Sequence, residues 1–255
     1  MAARDSELAG AEIKRTLEDI GRQRPLVHAI VNHVVIGAAA DAIRAIGALP
    51  VMAAAPEEAG DMAAQASALV LNTGTPDRDR LQACLAAGRS ANQHGVPIVL
   101  DPVGMGSTPW RSEGIRRLAA ELRLAAIRGN RSEIAALAGS TGGAVRGVEA
   151  TGEASLEELI GLARAARRVT GAVICISGET DVIAGEQLTL VRNGHPLMGE
   201  VVGTGCMLSA VVAAFVAVER RTERAVAQAV ITFGLAGEAA ARDAQGPGAF
   251  RVALI

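Results

Sequence analysis

An alternation along this 255-residue chain constrains its fold most strongly: short β-branched runs are followed by longer, alanine-rich helical segments. Such alternation is typical of βαβ units, in which helices join parallel strands and pack on the faces of a sheet. The pattern predicts helices over 5–21, 33–46, 205–220 and 222–242, and the fold class is therefore α/β. The predicted strands are Leu26–Val31, Leu49–Met52, Ala68–Leu71, Ile98–Leu100, Ala125–Ile127 and Val173–Ile176.

The pattern changes after residue 177. The segments Asp181–Ala184 and Gln187–Arg192 are separated by Gly185 and Glu186, a spacing typical of a β-hairpin. This hairpin is expected to add antiparallel strands to an otherwise parallel sheet. Half of the residues are apolar, enough to bury one substantial core, so we expect a single domain over residues 1–255.

Charge and cysteine usage argue against several classes of protein. A formal net charge of −2 offers no basic field for nucleic acid or for an anionic membrane. The longest apolar windows, such as 207–218, are shorter than the roughly 20 residues that cross a bilayer, and the acidic N-terminal segment is unlike a signal peptide. Cys84, Cys175 and Cys206 are too widely spaced for a zinc or disulfide framework. We expect a cytoplasmic protein that binds neither nucleic acid nor membranes.

Polar or glycine-rich turns follow four of the predicted strands, at residues 72–75, 101–104, 128–130 and 177–179. In open α/β sheets, ligands bind beyond the carboxyl ends of the strands. The sequence therefore predicts a ligand site at this edge of the sheet, although ordinary turn chemistry explains the 72–75 segment just as well.

Asp101 ends an apolar strand and precedes a Pro/Gly-rich loop, so its carboxylate is expected to be exposed at the strand end. A carboxylate there can hold Mg²⁺, which usually keeps several waters and contacts one or two protein carboxylates plus substrate phosphates. A capping role in the next turn explains the same residue equally well.

Asn130 and Glu133 open the next predicted helix, and their spacing has two explanations. Asn130 is a good N-cap, and Glu133 three residues later completes a capping-box pattern. Alternatively, both residues lie near a helix N-terminus where a hydrated Mg²⁺ and a triphosphate can be oriented. Arg128 favours the second explanation, because a guanidinium at a strand end commonly binds phosphate.

The segment GTGC precedes a long apolar helix. Its two glycines allow a tight turn that brings successive N–H groups to the positive end of the helix dipole, so Gly203, Thr204, Gly205 and Cys206 are predicted to form an anion hole. At a helix N-terminus the pKa of Cys206 is expected to be lowered, which would let the thiolate act as a base toward a substrate hydroxyl. Simple packing of a buried cysteine is the alternative.

Six segments resemble one known family: 26–35, 47–75, 95–108, 127–139, 193–210 and 246–252. The most specific parts are the PVM stretch, the RGN-x-SE turn and the GTGC loop with NGHPLM upstream. Over essentially its whole length the chain is similar to the hydroxyethylthiazole kinases, ribokinase-like enzymes of thiamine biosynthesis and salvage. The resemblance implies a ribokinase-like three-layer sandwich, with helices on both faces of a mostly parallel sheet. It also implies ATP-dependent phosphorylation of the primary alcohol of 4-methyl-5-(2-hydroxyethyl)thiazole, with Mg²⁺, by a homotrimer whose thiazole sites lie between subunits.

The same resemblance assigns roles to individual residues. It places Met52 and Gly203 at the thiazole, and Arg128 and Ser177 at ATP. Cys206 falls where most ribokinase-like enzymes have the aspartate that deprotonates the acceptor hydroxyl. The positions that organise Mg²⁺ and the phosphates in the wider superfamily match Asp101, Asn130 and Glu133, with Glu133 acting through water.

Some features leave alternatives open. His33 stands where the family pattern has an aromatic residue, and Met105 interrupts the usual Gly-Ala-Gly, but neither change removes a predicted catalytic group. Isolated histidines such as His28, His33 and His195 are more often capping or packing residues than ligands. The rival functions are a kinase for another heterocyclic alcohol such as a hydroxymethylpyrimidine, a nucleotide-binding protein without transfer, and a cysteine hydrolase, which lacks a recognisable His–acid pair.

Overall fold

A computed structural model describes residues 4–5, 10–139, 145–146, 149–150 and 154–255 of the chain. The strands are β1 (Arg4–Asp5), β2 (Leu26–Ile30), β3 (Leu49–Val51), β4 (Ala68–Asn72), β5 (Ile98–Asp101), β6 (Ala126–Asn130), β7 (Val145–Arg146), β8 (Glu149–Ala150), β9 (Val173–Ser177), β10 (Asp181–Ala184) and β11 (Leu188–Val191). The helices are α1 (Gly10–Gln23), α2 (Ile36–Ala45), α3 (Pro56–Gln65), α4 (Arg78–His94), α5 (Pro109–Glu121), α6 (Arg131–Leu137), α7 (Leu156–Thr170), α8 (Leu197–Glu200), α9 (Thr204–Val216), α10 (Thr222–Ala241) and α11 (Pro247–Ala253).

One nine-stranded sheet has the order β1-β11-β10-β9-β6-β5-β4-β2-β3, and β7 pairs with β8 separately. Strands β9, β6, β5, β4, β2 and β3 are parallel, whereas β10 pairs antiparallel with both β9 and β11. The predicted α/β class and the hairpin addition are therefore confirmed. The parallel strands bring the carboxyl ends of β9 to β3 to one edge.

Side chains alternate between the two faces of the sheet and form two separate apolar cores. In β4, Ala68 and Val70 join the core beneath α1, α2, α9 and α10, while Leu69 and Leu71 join the core beneath α3, α4, α5 and α7. Because apolar residues cover both faces of the strands, helices must pack on both sides. The result is the predicted three-layer sandwich.

Most element boundaries agree with the sequence prediction, but the first helix does not. The prediction began it at residue 5, whereas Arg4–Asp5 pairs in parallel with β11 and the helix begins at Gly10. Residues 6–9 lie outside the described residues. Apolar spacing located the buried face of α1, but it could not detect pairing with a strand more than 180 residues later, since that partner is distant in sequence.

No helix in the described part of the chain is both long and apolar enough to span a membrane.

Candidate active site

Four polar residues end adjacent parallel strands at the carboxyl edge. The register pairs Asn72 of β4 with Asp101 of β5, and Asn130 of β6 with Ser177 of β9. Residues far apart in sequence therefore meet along one edge, as predicted. The N-terminus of α9 supplies a further set of residues to this region, because Ser209 reaches Asp101.

Asp101 is fully buried, so the expectation that it would be exposed is wrong. Asn72 Nδ2 donates to Asp101 Oδ2 at 2.7 Å, and Ser209 Oγ donates to the same oxygen at 2.9 Å. Burial raises the pKa of Asp101, while Arg128 and these hydrogen bonds oppose the rise. Asp101 Oδ1 has no hydrogen-bond partner among the described residues. The site thus contains a buried carboxyl with one oxygen left unsatisfied.

Arg128 lies between Asp101 and Ser177. Its Nη1 is 3.7 Å from Asp101 Oδ1, and its Nη2 donates to Ser177 Oγ at 2.5 Å. The guanidinium also lies against the first turn of α9, because a Cβ added to Gly205 would be 2.5 Å from both Nη atoms. The two residues that resemblance assigns to ATP are therefore in direct contact.

Asn130 and Glu133 form the predicted capping box at the start of α6. Asn130 Oδ1 accepts from Glu133 N at 2.9 Å, and Glu133 Oε2 accepts from Asn130 N at 2.8 Å. The second carboxylate oxygen of Glu133 accepts from Gly104 N at 2.8 Å, which ties α6 to the loop after β5. Burial, and then the charge of Asp101, raise the pKa of Glu133 to about 7. The capping explanation is confirmed, and both oxygens of this acid are engaged.

In contrast to α6, helix α9 begins without a capping side chain among the described residues. Gly203 is its N-cap with φ of 96°, a left-handed conformation that favours glycine, and no described side chain caps the helix. A Cβ at Gly203 would overlap Cγ1 of Val35, so the glycine also permits close packing against the loop after β2. The first N–H groups of a helix have no intrahelical acceptor. This uncapped end, together with Arg128, is suited to an anion.

The prediction of a lowered thiol pKa for Cys206 is wrong for this structure. Burial, and then the nearby charge of Asp101, raise its pKa to about 12, although Arg128 and hydrogen bonds from asparagine side chains oppose the rise. The sequence pattern showed the helix N-terminus, which favours a thiolate, but not the burial or the adjacent acid, which disfavour it. Cys206 is half-buried at the site, with its sulfur 3.5 Å from Asn32 Nδ2.

Met52, His28 and His33 belong to β2, β3 or the loops that follow these strands, and His195 lies in the loop before α8. Met52 follows β3 and is half-buried. His28 is buried in β2, and its Nε2 lies 2.7 Å from Ala53 O, where the ring N–H donates. His33 accepts from Arg80 Nη2 at 2.7 Å, and His195 Nδ1 accepts from Leu197 N at 3.2 Å. All three histidines therefore hold loops, in keeping with the capping and packing explanation.

The acids present fit a hydrated Mg²⁺ better than a directly bound one. Within the described residues, no group of three or more His, Cys, Asp or Glu side chains could cage a metal. Glu133 already accepts two backbone N–H groups, so contact through water suits it, whereas the buried Asp101 would act on the ion through its charge. A nearby cation would compensate the charge of Asp101, whose Oδ1 has no hydrogen-bond partner among the described residues, and would lower the pKa of Glu133, which burial and then Asp101 raise.

Sequence reasoning missed Ser209 and the contact between Asn32 and Cys206. Ser209 is fully buried in the otherwise apolar run MLSAVVAAFV, and a single polar residue in such a helix was a usable signal, since it needs a hydrogen-bond partner. The contact of Asn32 with Cys206 had no such signal, because 174 residues separate the two.

The sequence is similar to a well-defined family. The model of the hydroxyethylthiazole kinase family matches residues 17–255. A hydroxyethylthiazole kinase from Methanoculleus marisnigri is 48% identical over 239 residues, which cover 93% of this chain and 85% of that protein. One from Moorella thermoacetica is 44% identical over 248 residues, covering 96% and 91% of the two chains.

Comparison with solved structures leads to the same family. A hydroxyethylthiazole kinase protein from Pyrococcus horikoshii OT3 matches with a TM-score of 0.87 and 38% identity, over 96% of this chain and 91% of that one. A ribokinase-like superfamily protein from Enterococcus faecalis V583 matches with a TM-score of 0.63 over 94% and 92% of the two chains; at 18% identity it shows the shared fold alone. By sequence over nearly its whole length and by structure, the chain belongs to the hydroxyethylthiazole kinase family.

Proposed function

We propose that this protein transfers the γ-phosphoryl group of ATP to the primary hydroxyl of 4-methyl-5-(2-hydroxyethyl)thiazole, in thiamine biosynthesis or salvage. Membership of the family supports the reaction. The observation that carries the proposal in this chain is the convergence of Arg128, Asp101 and the uncapped α9 N-terminus at one point. Such an arrangement suits a phosphoryl group in transfer.

ATP would occupy the side of the site formed by β6 and β9. Arg128 and Ser177 are in contact there, and Arg128 lies against Gly205, so a phosphate would meet the guanidinium and the helix N-terminus together. The N–H groups of residues 203–206 would form the anion hole. Phosphoryl transfer depends mainly on positioning and charge neutralisation, so these groups should supply most of the rate.

The thiazole would lie at the other end of the site, beside Met52 and Gly203. From β3 to β9 the sheet spans five strand spacings, roughly 24 Å, so the two substrates can lie side by side along one edge. Cys206, in the first turn of α9, would be the base nearest the acceptor hydroxyl. Because burial raises the pKa of this thiol to about 12, its contribution should be smaller than that of the phosphate-binding groups.

Mg²⁺ would be held beside Asp101 and, through water, by Glu133, with Asn130 as a further candidate. When bound, the ion would neutralise charge that develops on the transferring phosphoryl group. Its carboxylates lie beside the proposed phosphate position, since Asp101 is paired with Arg128 and Glu133 holds Gly104 of the adjoining loop.

We further propose a homotrimer with thiazole sites between subunits, a cytoplasmic location, and one kinase domain over residues 1–255. Apolar side chains exposed beside the site support the trimer: Val34 is 60% exposed and Val202 71%, next to the loop after β2 and the α9 N-terminus respectively. A partner subunit could cover both. The nine-stranded sheet, which most of the described strands share, is consistent with one domain.

A mass-spectrometric assay tests the reaction. The protein is incubated with ATP and the thiazole alcohol, with and without Mg²⁺, beside a hydroxymethylpyrimidine as a competing alcohol. A thiazole phosphate that requires Mg²⁺ is the expected product. If the pyrimidine is phosphorylated in preference, the acceptor is the pyrimidine alcohol and not the thiazole alcohol. If ATP binds but no phosphorylated product forms, the proposed kinase function is wrong.

A further inference from the structure

The loop between β2 and α2 places an asparagine amide against the sulfur of Cys206. Asn32 is 5% exposed, and its Nδ2 lies 3.0 Å from Asn72 Oδ1 and 3.5 Å from Cys206 Sγ. An amide nitrogen carries two protons, and these two contacts use both. The sulfur of Cys206 therefore accepts a hydrogen bond from Asn32.

Two backbone N–H groups decide which way the asparagine amides face. Val34 N donates to Asn32 Oδ1 at 3.0 Å, and Gly74 N donates to Asn72 Oδ1 at 3.0 Å. A backbone N–H can only donate, so each must meet an amide oxygen, and the nitrogen ends must face the other way. Asn32 Nδ2 then points to Cys206 and Asn72, and Asn72 Nδ2 points to Asp101.

The position of Asn32 is also restricted by space. A Cβ added to Gly74 would lie 2.8 Å from both Cβ and Nδ2 of Asn32, so the side chain is packed tightly against that loop. Arg80, which is buried, donates to the carbonyl oxygen of Val31 and so holds the preceding peptide. Packing and hydrogen bonds together leave Asn32 one orientation.

We propose that Asn32 is a positioning residue for the phosphoryl transfer: its amide holds Cys206 Sγ by a hydrogen bond and keeps the sulfur in a fixed orientation at the acceptor site. This role rests on the proposed kinase function. Asn32 acts through Cys206, and Asn72 keeps the amide of Asn32 turned toward the sulfur. The direction of the hydrogen bonds sets a requirement at position 32: the group that faces the sulfur must be a donor.

The first test is a double-mutant cycle on turnover. Asn32→Ala should lower kcat about 10-fold, the range for a hydrogen bond to a charged group such as the thiolate form of Cys206, with KM for the thiazole changed less than about 2-fold. In a Cys206→Ala background, the same Asn32→Ala change should have almost no further effect on kcat. Equal losses in both backgrounds would show that Asn32 does not act through the sulfur and would overturn the proposal.

The second test does not require kinase activity. Iodoacetamide is added at one fixed pH, and alkylation of each cysteine is followed by peptide mass spectrometry in the wild type and in Asn32→Asp. The variant has nearly the same size but turns a carboxylate oxygen toward the sulfur, so alkylation of Cys206 should be at least about 3-fold slower. Buried Cys84 and Cys175 should keep their wild-type behaviour. An unchanged rate at Cys206 would overturn the contact even if the kinase reaction is confirmed.

Asn92→Asp is the matched control, because it makes the same substitution in an amide that bonds the backbone of Arg123 in the loop before β6. It should leave both kcat and the Cys206 alkylation rate within about 2-fold of the wild type, and unfolding curves should confirm that each variant is folded. If the wild type phosphorylates no alcohol but Asn32→Asp still slows alkylation of Cys206, the proposed kinase function is wrong and the contact between Asn32 and Cys206 stands.

Discussion

Two helices begin at the same edge of the sheet, and their first turns are built in opposite ways. Helix α6 begins after Asn130. The Asn130 side chain accepts from the backbone N–H of Glu133, and the Glu133 carboxylate accepts from the backbone N–H of Asn130. Helix α9 begins after Gly203 in a left-handed conformation, and no described side chain caps it. In place of an acceptor, the guanidinium of Arg128 lies against Gly205.

The comparison distinguishes a closed helix end from an open one. At α6 the backbone donors have found protein acceptors, which stabilises the helix and leaves little for a ligand to gain. At α9 two positive features, a helix N-terminus and a guanidinium, lie together, so that an anionic group would be stabilised there. Substitutions at α9 should therefore reduce turnover, and those at α6 should mainly reduce stability.

The largest expected effect is that of Gly203→Ala. The new Cβ would overlap Val35, and alanine would have to adopt a φ of 96°, so the turn before α9 must move. We expect kcat/KM to fall more than about 100-fold in a steady-state assay. Gly199→Ala is the control, because nothing lies within 4 Å of a Cβ there and φ is ordinary. Equal activity of the two variants would contradict the open-end assignment.

Arg128→Met should affect both turnover and stability. It removes the partner of Ser177 and leaves Asp101 buried without its cation, so we expect kcat to fall about 100-fold and the free energy of unfolding to fall about 3 kcal/mol. Denaturant unfolding and steady-state kinetics measure the two effects. Arg116→Met, which removes an exposed ion pair with Glu113, should change the free energy of unfolding by less than about 1 kcal/mol.

Cys206→Ala should lower kcat about 10- to 100-fold while leaving the unfolding midpoint near that of the wild type. Cys206→Asp should stay active, because a carboxylate can take the same role as base. Cys84→Ala gives the converse control: that cysteine is buried in the core on the other face of the sheet, so stability should fall and kcat should not. A Cys206→Ala enzyme as fast as the wild type would remove the base role.

The pH dependence of stability should reveal a buried carboxyl on the phosphate side. Burial raises the pKa of Asp181 from 3.8 to about 6, so the wild type loses stability as pH rises from about 4 to about 6, where the unfolded chain ionises first. Asp181→Asn lacks this loss and can still accept from Gly178 N. Its free energy of unfolding, relative to wild type, should rise by up to about 3 kcal/mol between pH 4 and pH 7.

The opposite sign, or a flat difference across that range, would show that Asp181 is not held neutral by burial. Urea unfolding at unit steps of pH measures the difference directly. Asp181→Asn is expected to change kcat little, because Asp181 accepts a hydrogen bond from Gly178 in its own turn and forms no hydrogen bond with the N-terminus of α9.

Asn130→Ala should have the smallest effect. Loss of the N-cap should lower the free energy of unfolding by about 1 kcal/mol, measured by denaturant titration. The Mg²⁺ concentration for half-maximal activity sharpens the result: a residue that only caps α6 leaves it unchanged, whereas a residue that also helps to hold the ion raises it. Thr108→Ala, the N-cap of α5, is the matched control for loss of a cap.

Structural features that depend only on residues close together in the sequence could be predicted. The capping box of Asn130 and Glu133 spans three residues, and its geometry follows from local chemistry, so the sequence identified it correctly. The strands, and the gathering of their polar ends at one edge, were equally readable, because a parallel sheet brings its carboxyl ends together. The helix predicted from residue 5 failed where a distant strand paired with the segment.

The sequence by itself determined the α/β class, the edge that carries the site, and the residue types brought there, because periodicity and turn chemistry act within a few residues. Tertiary structure alone decided the burial of Asp101 and the raised pKa of Cys206. Asp101 is enclosed by Asn72, Arg128 and Ser209, which reach it from three other elements, the last from 108 residues away. Burial and the charge of Asp101 in turn raise the pKa of Cys206. Desolvation depends on everything that surrounds a group, so no local pattern can report it.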